Sequence, residues 1–139
     1  MDFEEWSIKE YKHWKLFLDQ NQYPYLGKCY AWAKRANADL VTDMNQEERE
    51  ELFETIIPAW KTAIENLYGT IRPNVAILGN LSPHLHAHLV PRCKIPRTIH
   101  GIEFIDPIPQ GFLLPPVLNK EVPLEIIVKI RDEIKKELK

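Results

Sequence analysis

Cysteine is scarce: Cys29 and Cys93 are the only two in 139 residues. They lie far apart and in no metal-like spacing. That excludes a disulfide-built scaffold and a cysteine-rich zinc module, and leaves the expectation of two reduced thiols. There is also no apolar run long enough to cross a bilayer. Charge of one sign is missing too. Eighteen Lys and Arg against twenty Asp and Glu give a net charge near −2. This argues against a surface for coating nucleic acid or membrane, while a small local phosphate site stays open. The opening residues, MDFEEWSIKE, are acidic and have no apolar core. The expectation is therefore no secretory signal and a cytoplasmic location. No repeat or low-complexity linker breaks the chain, and its length fits one domain, residues 1–139.

What is present reads as a mixture of strands and helices. The N-terminus suits a short helical turn or a loop. In HWKLFLD, Trp14, Leu16 and Leu18 alternate with Lys15 and Phe17, a strand pattern apolar on both faces. NQYPYLG reads as a turn, and KCYAWAKR as a second strand with Tyr30 and Trp32 supplying bulk. Asn45 to Tyr68 is the clearest helix. Asn45 with Glu48 forms a capping box, Gly69 is placed to end it, and Leu52, Phe53, Ile56, Ile57, Trp60, Ile64 and Leu67 make an apolar stripe. NVAILGN (residues 74–80) predicts a third strand entering a Gly-Asn turn. HLHAHLV predicts a fourth, bounded by Pro83 and Pro91. Beyond Arg92 the chain looks irregular to about Pro116. A terminal helix follows, with Pro123 near its start and Leu124, Ile127, Val128, Ile134 and Leu138 buried. The fold class is α+β, with a mostly antiparallel sheet and helices on one side.

Three of the five histidines fall on alternate positions: His84, His86 and His88, interleaved with Leu85, Ala87 and Leu89. In a strand, residues two apart share a face, so the imidazoles share one and the apolar residues the other. Three readings of that row compete. It is a solvated or hydrogen-bonded polar face. Or it is a metal site, although a straight row spreading His84 and His88 over roughly 13 Å fits poorly to a tetrahedron. Or it is a nucleophile acting on phosphorus, since a neutral imidazole is reactive near pH 7. The loop before the strand suits the last reading. Gly79 permits close backbone approach, and Asn80 and Ser82 offer uncharged polar groups for phosphate oxygens. Oriented donors there would stabilise a pentacoordinate transition state.

NVAILGNLSPHLHAHLVPR resembles the signature of the histidine-triad (HIT) superfamily, in its small bacterial diadenosine tetraphosphate hydrolase-like branch. HWKLFLDQNQYPYLGKCYAWAKR and LVTDMNQEEREELF are similar to that branch as well, so the resemblance spans roughly residues 12–116. It implies a HIT-like fold with about five strands per subunit, and a homodimer. It implies hydrolysis or transfer at the α-phosphate of a nucleoside phosphate. That substrate would be a dinucleoside polyphosphate or a nucleoside phosphoramidate. His86 would attack and form a covalent nucleotidyl-histidine, which water hydrolyses. His88 would contact the scissile phosphate and leaving oxygen, and His84 would support the row. Asn74, Asn80, Ser82 and Lys28 would bind substrate. No cofactor or metal is required, although a divalent cation can accompany the polyphosphate. In one respect the chain departs from the better-studied branches: Lys28 stands where they carry a fourth histidine. Lysine binds phosphate but is a poorer proton donor near neutral pH. Protonation of the leaving group then falls to His88 or to the substrate. His13 and His100 are alternative donors, or plain surface histidines. Trp14 and Trp32 are either core or the wall of a base pocket. The rival reading from another class is a nucleotide-binding or interaction module with little turnover.

Overall fold

In the computed structural model, residues 3–112 and 121–139 are described. The strands are β1 (Ser7–Glu10), β2 (Trp14–Leu18), β3 (Cys29–Ala33), β4 (Arg72–Ala76), β5 (His86–Arg92), β6 (Arg97–Ile99) and β7 (Ile102–Phe104). The first five form one sheet in the order β1-β2-β3-β5-β4, with every neighbouring pair antiparallel. The long helical element starts as α1 (Gln46–Glu50), continues through a π-helical stretch (Glu51–Ile56) and ends as α2 (Ile57–Tyr68). The terminal helix is α3 (Leu124–Glu137). The α+β class and the five-stranded antiparallel sheet are as expected.

The core lies between one sheet face and the helices. Trp14, Leu16 and Leu18 of β2, Cys29 and Ala31 of β3, and Leu85, Ala87 and Leu89 around β5 are fully buried in one cluster with Leu52, Ile56, Trp60, Ile64, Ile130 and Ile134. Burying each large apolar side chain stabilises the fold by roughly 1.5–3 kcal/mol, and the residues two apart supply that face strand by strand. Cys29 and Cys93 are both free thiols. The capping box is formed. Asn45 Oδ1 accepts from Glu48 N–H and Glu48 Oε1 accepts from Asn45 N–H, each at 2.9 Å. Arg35 donates to both oxygens of the buried Glu48 at 2.8 and 3.1 Å and holds that carboxyl below its usual range. Gly69 ends the helix at a φ of 98°.

Several elements differ from the sequence reading. A strand, β1, follows the N-terminal turn. β4 begins at Arg72 and stops at Ala76, short of the Gly-Asn turn. β5 starts at His86, after His84, and Pro91 lies inside it rather than at its border, opposite Pro73 of β4. A proline pair needs no ladder N–H from either partner, which is why both are accommodated there. The stretch after Arg92 is not irregular throughout, because β6 and β7 form a hairpin. Residues 113–116 of that stretch lie outside the described residues. Phe53 and Leu124, expected in apolar stripes, are 50% and 64% exposed. Ile126 and Ile130 take the inward positions of α3 instead. Among the described residues, no helix is long and apolar enough to cross a membrane.

Candidate active site

The sheet face turned away from the helices carries the histidines. Pairing register places residues rung by rung, and paired residues share a face. His88 of β5 lies opposite Tyr30 of β3 and Ala76 of β4, and Tyr30 lies opposite Phe17 of β2. His86 lies opposite Trp32, which lies opposite Lys15. Asn74 is opposite Val90, two residues along β4 from Ala76, and so belongs to the same face.

The rings form a continuous stack. Trp32 lies parallel to His84 at 4.3 Å between centroids and close to parallel with His86 at 5.2 Å. His86 meets His88 edge-on at 4.9 Å. His84 precedes the regular strand but remains on this side through its contact with Trp32.

Hydrogen bonds set the protonation of two of the rings. His84 Nε2 lies 2.6 Å from the Ala33 carbonyl oxygen, and His86 Nδ1 lies 2.6 Å from the His84 carbonyl oxygen. A carbonyl only accepts, so each of these ring nitrogens donates. In neutral His86 the lone pair is therefore on Nε2. His86 is 8% exposed and its ring is fixed by this bond and the Trp32 stack. His88 differs. Its Nδ1 is buried without a hydrogen-bond partner among the described residues. Burial, followed by the Lys28 cation and then His86, pushes its pKa down to about 4, against an opposing pull from Asp19. His88 is neutral at physiological pH.

Lys28 sits just before β3 and pairs with Asp19 at 3.1 Å, both side chains only 15% exposed. Its position depends on Gly27. A Cβ there would come within 2.6 Å of Ile64 Cδ1, and the φ of 94° also favours glycine. The Gly27 carbonyl accepts from Trp60 Nε1 at 3.1 Å, which ties this turn to the long helix. Asp19, its partner, was not singled out from the sequence, although the alternation Lys15, Phe17, Asp19 points to this face. Burial, with the Asp19 carboxylate second, pushes Tyr30 up to about 12.

The remaining candidates are spread around the row. Asn74 Oδ1 accepts from Arg92 at 3.5 Å, a long contact. Arg92 is buried, pairs with Asp106 at 2.6 Å and donates to the Ile108 and Gly111 carbonyls at 2.8 and 3.0 Å. It thereby ties the loop after β7 to the end of β5. Asn80 and Ser82 lie in the exposed loop before β5. The Ser82 carbonyl accepts from His84 N–H at 2.7 Å, while Gly79 has the positive φ of 79° that this loop needs. Trp14 is core, its Nε1 donating to the Glu48 carbonyl at 3.0 Å, whereas Trp32 lines the site. His13 pairs with Glu47 at 3.4 Å and His100 with Glu133 at 3.1 Å, each through contacts outside the stack. No group of three or more His, Cys, Asp or Glu side chains is arranged to hold a metal among the described residues.

The histidine row lies on the helix-free face of a five-stranded antiparallel α+β fold. No family profile and no curated protein matches the sequence. Solved structures do match. A histidine triad protein from Marinobacter aquaeolei VT8 has a TM-score of 0.68 at 21% identity, over 95% of this chain and 87% of that one. A diadenosine triphosphate hydrolase from Plasmodium falciparum, in complex with cyclomarin A, has a TM-score of 0.61 at 17% identity, over 98% and 77%. A zinc-bound histidine triad family protein from Mycobacterium smegmatis has a TM-score of 0.57 at 18% identity, over 94% and 84%. At these identities the likeness carries the fold, and the fold of this chain is that of the histidine-triad proteins.

Proposed function

We propose that this protein is a nucleotide hydrolase or nucleotidyl transferase. It cleaves a dinucleoside polyphosphate or nucleoside phosphoramidate at the α-phosphate through a covalent nucleotidyl-His86. The observation that supports this best is the 2.6 Å bond from His86 Nδ1 to the His84 carbonyl. It leaves the lone pair on Nε2 and gives the cation formed on attack an acceptor already in place.

In the reaction, Nε2 of His86 forms a bond to phosphorus as the bond to the leaving oxygen or nitrogen breaks. The leaving group keeps that electron pair. Nδ1–H stays on the His84 carbonyl and stabilises the developing imidazolium. Water then attacks phosphorus and releases a proton to solvent, the P–N bond breaks with its electron pair returning to Nε2, and neutral His86 is restored. His88, neutral in the free protein and beside the Lys28 cation, gains basicity when phosphate charge arrives. It then takes a proton from solvent and gives it to the leaving group. Lys28 keeps Asp19 as its counter-ion, so its attraction for phosphate is weaker than that of a bare ammonium. Asn74, Asn80 and Ser82 bind phosphate oxygens from the rim. No cofactor takes part, and the divalent ion that accompanies a polyphosphate belongs to the substrate.

The protein acts in the cytoplasm as a homodimer. Support for the dimer comes from β4, an edge strand of the sheet that exposes Val75. The rival is a nucleotide-binding module that turns over slowly, which the missing fourth histidine favours. Steady-state assays on diadenosine polyphosphates and on an adenosine phosphoramidate separate the two. Multiple turnovers support the enzyme, and binding without product supports the module.

A further inference from the structure

Attack by His86 turns a neutral ring into a cation, so the groups that meet that cation set part of the barrier. The His84 carbonyl is one of them, 2.6 Å from Nδ1. Carboxylates are engaged elsewhere. Those that pair with histidine among the described residues, Glu47 and Glu133, serve His13 and His100 outside the stack. The Lys28 cation, with Asp19 as its counter-ion, acts on the adjacent His88 and has the wrong sign. Lys15, on the next rung beyond Trp32, is also a cation and pairs with Glu4.

The remaining neighbour is Trp32. It is the rung partner of His86 across β3 and β5, and its ring centroid lies 5.2 Å from the imidazole, with 28° between the planes. A cation within about 6 Å of an indole face is attracted by the ring quadrupole, and more strongly where water is excluded. His86 is buried. The indole is itself held in place. The N–H of Ala33, next in the chain, donates to the Leu85 carbonyl at 3.0 Å, and the Ala33 carbonyl accepts from His84 Nε2 at 2.6 Å. Tyr30 meets the indole edge-on at 6.5 Å. The π face is therefore positioned before charge develops, so its attraction costs no reorganisation during the reaction. An aliphatic side chain on the same rung would fill space and supply none of this attraction.

We infer that Trp32 is a positioning residue that acts through His86: its indole face stabilises, by cation–π attraction, the imidazolium formed as Nε2 bonds to phosphorus and the leaving group departs with its electron pair. The inference rests on the covalent reading above and adds a second source of stabilisation for the charge that reading creates. It concerns the electron density of the indole and not its size, and the two are separable.

Rapid-quench kinetics on the full chain test it, with the p-nitrophenyl ester of adenosine 5′-monophosphate as the probe. Release of p-nitrophenolate in the first turnover reads formation of the nucleotidyl-histidine. Site-specific replacement of Trp32 by mono-, di-, tri- and tetrafluorotryptophan keeps the shape and drains the π face step by step. The first-turnover rate at saturating probe is expected to fall with each fluorine, about tenfold across the series, and Trp32→Leu should fall at least as far. Trp32→Phe, which keeps a weaker π face, should lie between wild type and Trp32→Leu. A rate that stays flat across the fluorinated series would overturn the inference whatever Trp32→Leu does, because packing alone would then matter. A change confined to the probe concentration needed for saturation would overturn it too, since the indole would then act on the ligand. No nucleotidyl adduct on His86 of the wild type would overturn the covalent reading and this inference with it. An adduct on the wild type together with a flat series would overturn this inference alone.

Discussion

Replacing His88 with glutamine should make folding less sensitive to acid. Burial and the Lys28 cation hold His88 near a pKa of about 4 in the native state, against 6.5 for an ordinary histidine. Between those values the unfolded chain binds a proton that the native state refuses. Stability therefore falls as pH drops through 6.5, and the loss levels off near 4. At pH 5 the linkage gives about 2 kcal/mol at most, and solvent reaching the open face of the site reduces this to about 1 kcal/mol. Urea unfolding at pH 7.5 and pH 5 measures it. Glu48 and the other carboxylates titrate in both proteins and cancel in the difference. The stability of wild type relative to His88→Gln should fall by about 1 kcal/mol on going to pH 5. A difference that stays flat, or that moves in favour of the wild type in acid, would refute the argument that His88 is held neutral.

Three other outcomes follow from the site. Lys28→Ala should weaken longer polyphosphates more than a monophosphate ester, and Lys28→His should raise turnover on poor leaving groups. Identical kinetics for all three proteins would remove Lys28 from the site. Prolonged chelation followed by assay without added metal should leave turnover of a phosphoramidate intact. Complete loss restored by zinc would make the row a metal site. Light scattering at micromolar concentration should give a dimer mass, and a monomer mass would count against the interface at β4.

The parts of this fold legible in the sequence were those with a strong period. Leu85, Ala87 and Leu89 against His84, His86 and His88 gave two faces, and the buried and site sides follow that division. Asn45 and Glu48 marked the helix start through a local cap that depends on nothing distant. β1 escaped because Ile8 is its one apolar residue, and a single position has no period. The hairpin of β6 and β7 escaped because its strands are three residues each and its turn uses His100 at a φ of 51° rather than Asn-Gly. The expected stripe placed Phe53 inward beside Leu52, but Leu52, Ile56, Trp60 and Ile64 fill the inner face and Phe53 points to solvent. On the site face, alternation in β3 contained Tyr30 and Trp32. Their meeting with His88 and His86 depends on strand register between distant segments, which no local pattern carries. The same holds for the Lys28–Asp19 pair.

His86 is the proposed nucleophile on which the covalent mechanism turns. Rapid quenching during turnover of a substrate with a good leaving group, followed by peptide mass spectrometry, reads that directly. A nucleotidyl mass on the peptide containing His86 is expected, mapped to that residue. It should be absent from His86→Ala, which should fold normally and lose about three orders of magnitude in turnover. A nucleotidyl group on a different residue, or a His86→Ala protein that keeps its activity, would contradict the covalent mechanism.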